Sequence, residues 1–146
     1  STLFPYTTLF RSSTDETLVA AYKEAITNWN KTGAFIFTLT DDASTADIVA
    51  TDYSDANSQA AGLADSQTNV LTNRITHVDV KLNRYFLLNS DFGYTHKRIV
   101  NTAEHELGHA IGLDHDDSKT SVMQSAGSYY GIQQVDIDTV HALYAN

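Results

Sequence analysis

Apolar positions recur with two different periods along the chain, and the switch between them lays out the elements. Leu18, Tyr22, Ala25, Ile26 and Trp29 fall three or four residues apart, the spacing of one helical face. Ser13-Thr14-Asp15-Glu16 precedes them as a capping-box sequence, S-x-x-E, and Gly33 follows as a stop, so the spacing predicts a long helix between. Phe35 to Thr40 is rich in β-forming residues and reads as a strand, followed by a turn at Asp41-Asp42 and a second, short strand at Ile48 to Thr51. The small polar residues from Asp52 to Gln59 read as a loop. From Thr76 to Asn83 the period drops to two. Val78, Val80 and Leu82 share one face there, and His77, Asp79, Lys81 and Asn83 the other, as in a half-buried strand. His77 and Asp79 lie on the same side and could bind an ion, although a solvated sheet face is the simpler account. Thr95 is placed to cap a further helix running to about Leu113, with Val100, Ala103, Leu107, Ala110 and Ile111 as its core stripe. Ile137, Val140, Leu143 and Tyr144 mark a terminal amphipathic helix. His96 and His141 have no partners at ligand spacing and read as surface residues.

Composition narrows the function classes. A chain of 146 residues suits one domain with a sizeable core. A net charge of −9 offers no basic patch for phosphates, so nucleic acid is not an expected partner. There is no cysteine, hence no disulfide framework, and no apolar run of about 18 residues for a membrane span. No internal repeat or low-complexity tract is visible, and a monomer is expected.

Residues 2 to 12, TLFPYTTLFRS, match the in-frame translation of a common sequencing-library adapter. The expectation is therefore that 1–12 are not part of the domain, which would occupy 13–146 and lack its native N-terminal strand. The structural alternative is an edge strand with two Leu-Phe pairs. On the adapter reading, any signal peptide or pro-segment lay upstream and has been lost.

The chemistry is concentrated in one run, His105-Glu106-Leu107-Gly108-His109-Ala110-Ile111-Gly112-Leu113-Asp114-His115. On a helix, His105 and His109 project from one face a turn apart and can share one Zn²⁺ at about 2.0–2.1 Å each. Glu106 lies between them, close enough to work on a water without ligating the metal. Gly112 permits a reversal with positive φ that returns His115 as a third ligand. Three protein ligands leave a fourth position open, the catalytic pattern. Residues 105 and 107 stand about 200° apart on the helix, so the histidines face away from the core stripe, toward a cleft. A chance match to all five fixed positions in a chain of this size is roughly a few in a million.

This run resembles the zinc signature of the metzincin peptidases. Ser121-Val122-Met123-Gln124 resembles their Met-turn, and Met123 is the only methionine in the chain. Ala61-Gly62-Leu63-Ala64 resembles the edge strand that matrixins, the matrix-metalloproteinase branch, place along the cleft, and Asp136-Ile137 through Leu143-Tyr144 resembles their closing helix. The resemblance covers essentially residues 13 to 146. It implies an α+β fold with a mixed twisted sheet, a long first helix, an active-site helix, a Met-turn and a C-terminal helix.

It also implies a secreted zinc endopeptidase that hydrolyses an extended polypeptide with a metal-activated water and Glu106 as general base. Zn²⁺ would sit on His105, His109 and His115 with Met123 beneath. Gly62, Leu63 and Ala64 would pair with substrate, and Tyr129 and Tyr130 would wall the pocket for the residue after the cut bond. Many secreted relatives use Ca²⁺, for which Asp52, Asp55, Asp79, Asp91 and Asp117 offer oxygen ligands without forming a complete loop.

Departures sharpen the placement. Asp116 follows the third histidine as in adamalysins, but those are disulfide-bonded. Ser125 stands where astacins and serralysins put a tyrosine ligand, and the histidines of the second matrixin zinc are missing. A small bacterial-style matrixin relative fits best. The competing readings are a metzincin aminopeptidase, a metal-binding module without turnover, and an inactive truncated fragment of a peptidase.

Overall fold

The computed structural model describes residues 6–145; the part of the adapter-like segment at residues 1–5 lies outside them. Five strands, β1 (Tyr6–Arg11), β2 (Ile36–Leu39), β3 (Ile48–Tyr53), β4 (Gly62–Asn69) and β5 (Arg74–Asn83), form one mixed sheet in the order β2-β1-β3-β5-β4. All neighbours are parallel except β4, which runs antiparallel to β5 and forms one edge. Helices α1 (Glu16–Lys31) and α3 (His96–Ala110) pack on each other and on the sheet. One turn of helix, α2 (Arg84–Leu87), and a 3₁₀ turn at Ser90–Phe92 connect β5 to α3, and α4 (Gln134–Tyr144) closes the chain. The fold is α+β, as expected.

Helix α1 buries Leu18, Tyr22, Ala25, Ile26 and Trp29, the stripe read from the sequence, together with Ala21. Its cap differs from the expected capping box. Asp15, not Ser13, accepts from Leu18 N, and Ser13 Oγ accepts from Asp15 N. The indole of Trp29 donates to the carbonyl of Glu104 at 3.0 Å and ties α1 to α3 just ahead of the histidine pair.

The segment expected to lie outside the domain is a strand in the interior of the sheet. Residues 6–11 run parallel between β2 and β3, and Leu9 is fully buried. Thr7 Oγ1 donates to Asp47 Oδ2 at 2.6 Å, and Thr8 donates to the same oxygen through N and Oγ1 at 3.2 and 3.1 Å. Partial burial works to raise the Asp47 pKa, but these threonine donors outweigh it and hold the carboxyl below its ordinary value. In the structure a strand, β1, thus precedes the first helix. The physical reason is that Thr-Thr-Leu-Phe is rich in the β-branched and aromatic residues that strands favour, whatever its origin.

Helix α3 stops at Ala110, three residues short of the expected end. Gly112 takes φ 106°, its N–H donates to the carbonyl of His109 at 3.0 Å, and that of Leu113 donates to Gly108 at 2.9 Å. This is a Schellman reversal, which only a residue free to adopt positive φ makes cheaply.

Candidate metal centre and cleft

Helix α3 carries His105 and His109 on one face, and the reversal at Gly112 returns His115 to them. One nitrogen of each ring lies within 4.8 Å of the others, with ring centroids 4.7, 5.2 and 4.9 Å apart. Among the described residues this is the one group of three or more side chains able to hold a metal ion. The second nitrogens explain its orientation. His105 Nδ1 donates to the carbonyl of Val122 at 2.7 Å and His109 Nδ1 to that of Leu113 at 2.8 Å. A carbonyl only accepts, so each Nδ1 carries the proton and each Nε2 keeps its lone pair for a cation. Burial lowers the pKa of His105 to about 4 and also lowers that of His109, which keeps both rings in the neutral, ligating form. Together with a ring nitrogen of His115, on the side that borders the cavity, this donor set suits a tetrahedral Zn²⁺.

Glu106 follows on the same helix and is 6% exposed. Burial alone pushes its carboxyl up to about 7. A carboxylate poised there can accept and return a proton near neutral pH.

Beneath the histidines, Met123 is buried, and its Sδ would lie 2.5 Å from a Cβ built on Gly108. Glycine at 108 thus leaves room for the methionine, a relation the H-E-x-x-H spacing does not contain. The Met-turn is held from α4. Ser121 Oγ and Val122 N donate to the buried Asp136 carboxylate, the latter at 2.9 Å, and Met123 N donates to Ser121 Oγ at 2.9 Å. A continuous path thus runs from Asp136 through Val122 to His105. Sequence reasoning missed Asp136 in this role; its only signal was a buried-type position in the first turn of the last helix.

A cavity of about 730 Å³ opens beside the three rings. Gly62, Leu63 and Ala64 border it from the free edge strand, Tyr94 and Thr102 from α3 and the turn before it, and Gly127 from the segment after the Met-turn. Tyr129 and Tyr130, expected on the pocket wall, are not among the residues bordering it. Gly127 turns the chain with φ 72°, Ser128 is buried behind the wall, and both tyrosines come out at the surface. Tyr129 instead lies against the Arg98 guanidinium at 4.6 Å, which also stands over the Tyr94 ring at 4.2 Å and donates to Ser128 Oγ at 3.1 Å. The loop leading into β4 is knotted by Asn83, which is fully buried. Its side chain donates to the carbonyls of Asp55 and Ala60 and accepts from the N–H groups of Asp55 and Tyr85. The sequence assigned no role to Asn83, Tyr94 or Thr102; the carbonyls that Asn83 holds, at Asp55 and Ala60, lie far along the chain.

The aspartates considered for Ca²⁺ are dispersed. Asp52 pairs with Arg84, Asp79 with His77 and Asp117 with Ser125, while Asp55 caps its own loop through Asn57 N.

A family model described as matrixin matches residues 3–145. The chain belongs to the matrixin family. No curated protein matches it. Matrixins are zinc metallopeptidases, so at the family level the chain is a hydrolase acting on polypeptides. No helix of this matrixin, among the described residues, is long and apolar enough to cross a membrane.

Proposed function

We propose that this matrixin is a zinc-dependent endopeptidase in which His105, His109 and His115 hold the ion and Glu106 is the general base. The observation that carries the reading is the convergence of three imidazoles beside a buried carboxylate, on a cleft bounded by an unpaired strand edge. When bound, Zn²⁺ supplies Lewis acidity toward water and the scissile carbonyl. Glu106 takes the proton of the attacking water and delivers it to the leaving amine. Val122 and Leu113 hold the His105 and His109 rings through Nδ1, so their Nε2 atoms keep their direction throughout. An extended substrate adds to the free edge of β4, using backbone groups of Gly62, Leu63 and Ala64. Cavity-bordering residues continue along β4 to Ser66 and Thr68, which gives room for several substrate residues and favours internal cleavage over trimming of an end. Tyr129 and Tyr130 contribute only from outside the cavity, Tyr129 by backing Arg98 and Tyr94. The reading extends to a monomer acting outside the cell, with family membership as its support.

The test is zinc stoichiometry together with casein or peptide cleavage, with and without chelator. The wild type should bind one zinc and cleave only without chelator. Glu106→Gln should retain zinc and lose about 100-fold or more in turnover. His105→Ala and His109→Ala should lose both. Stoichiometric zinc without cleavage would make the chain a metal-binding module, and an active Glu106→Gln variant would remove the base from the mechanism.

A further inference from the structure

We infer that Gly62 is a positioning residue for the base: the side chain missing at this position is the seat of the Glu106 carboxylate. This rests on the peptidase reading above and adds a residue that acts through Glu106. Glycine at 62 is not required by the backbone. It is absent from the glycines with positive φ, and it pairs in regular register with Leu82 across β5. Space is the reason instead. A Cβ at 62 would stand 2.8 Å from both Cγ and Oε2 of Glu106 and 3.1 Å from Cδ, well inside the 3.5–4.0 Å at which carbon atoms ordinarily meet.

The seat matters because nothing else holds the carboxylate. Among the described residues no hydrogen bond is found to the Glu106 side chain, whereas Gly62 lies directly against its Cγ, Cδ and Oε2. Packing against the strand therefore takes the part that hydrogen bonds play for His105 and His109, and it leaves both carboxylate oxygens free for proton transfer. The same backbone forms the cleft edge offered to substrate. Seating of the peptide and placement of the base are consequently set by one stretch of β4. Proton transfer needs heavy atoms about 2.6–3.2 Å apart, so a displacement of about 1 Å is enough to spoil it.

The experiment uses the full-length, zinc-loaded protein and Gly62→Ala. The clash falls on the end of a flexible side chain, so Glu106 swings away while fold and metal survive. Expected are an unchanged zinc stoichiometry, a kcat reduced about 10- to 100-fold, a KM within about twofold of wild type, and a Glu106 rotamer in the crystal that differs from the wild type. A raised KM with intact kcat would mean that Gly62 serves only substrate pairing, and the inference would fall. Should Gly62→Ala lower Tm, Glu106→Ala removes the obstruction, and the double variant should melt with Glu106→Ala alone. A loss of Tm that persists in the double variant would assign the glycine to the backbone and overturn the seat. If the wild type shows no chelator-sensitive cleavage, the peptidase reading fails by itself. The seat is then judged by the crystal structures, and it is refuted by an identical Glu106 rotamer in wild type and Gly62→Ala.

Discussion

Burial pushes Glu106 up to about 7 and His105 down to about 4, and both shifts favour the uncharged side chain. For Glu106 this has a measurable consequence in the metal-free protein. Its folded pKa lies above the ordinary 4.5, so between about 4.5 and 7 the fold binds more protons than the unfolded chain. Stability must then fall as pH rises through that window. Glu106→Gln carries no such group, and His105 cancels in the comparison. From about pH 5 to pH 8 the wild type should therefore lose about 1–3 kcal/mol relative to Glu106→Gln, read by urea unfolding in the presence of chelator. Parallel pH profiles would show that the carboxyl is solvated in the folded state. At this scale the clustering of His105, His109 and His115 and the reversal at Gly112 were legible, because their relation is local. Asp136 and Asn83 were not, since each acts on backbone groups many residues away.

At the scale of elements, α3 and the turn that ends it do most to assemble the site. The spacing of the histidines predicts a helix followed by a reversal, and the Schellman bonds at Gly112 and Leu113 supply it. The same helix carries a glycine at 108 against its own propensity, which favours alanine by about 1 kcal/mol. Met123 Sδ occupies the space of the missing Cβ. Gly108→Ala should therefore destabilise by about 1–3 kcal/mol in spite of the better helix former, and should weaken zinc binding in a chelator competition. A variant stabilised by alanine would mean that the methionine yields without consequence. Element boundaries were read less well than element types. Tyr53 extends β3 past the expected loop start, β4 reaches Asn69, and Asp15 displaces Ser13 as cap, since pairing partners and side-chain reach decide where an element stops.

For the whole molecule, the interior position of β1 is the feature on which the sheet depends. It joins β2 to β3, and Leu9 enters the core with Leu18, Ile48 and Ala50. Leu9→Ala should cost about 2–5 kcal/mol in urea unfolding, the range for a buried leucine. A loss below about 1 kcal/mol would place residues 6–11 outside the cooperative unit, as their adapter-like sequence suggests. The Asp47 bonds to Thr7 and Thr8 belong to the same joint and couple the strand to the start of β3.

Eleven consecutive residues carry enough information to name a metal chemistry, because helical spacing and one glycine reversal bring the imidazoles together without help from distant chain. Alternation likewise says that residues 76–83 are extended. Which strands become neighbours, which edge stays open, and which side chain fills the space at Gly62 or Gly108 depend on surfaces that meet only after the helices and sheet have packed. Those contacts have no fixed separation along the chain, so no local spacing encodes them.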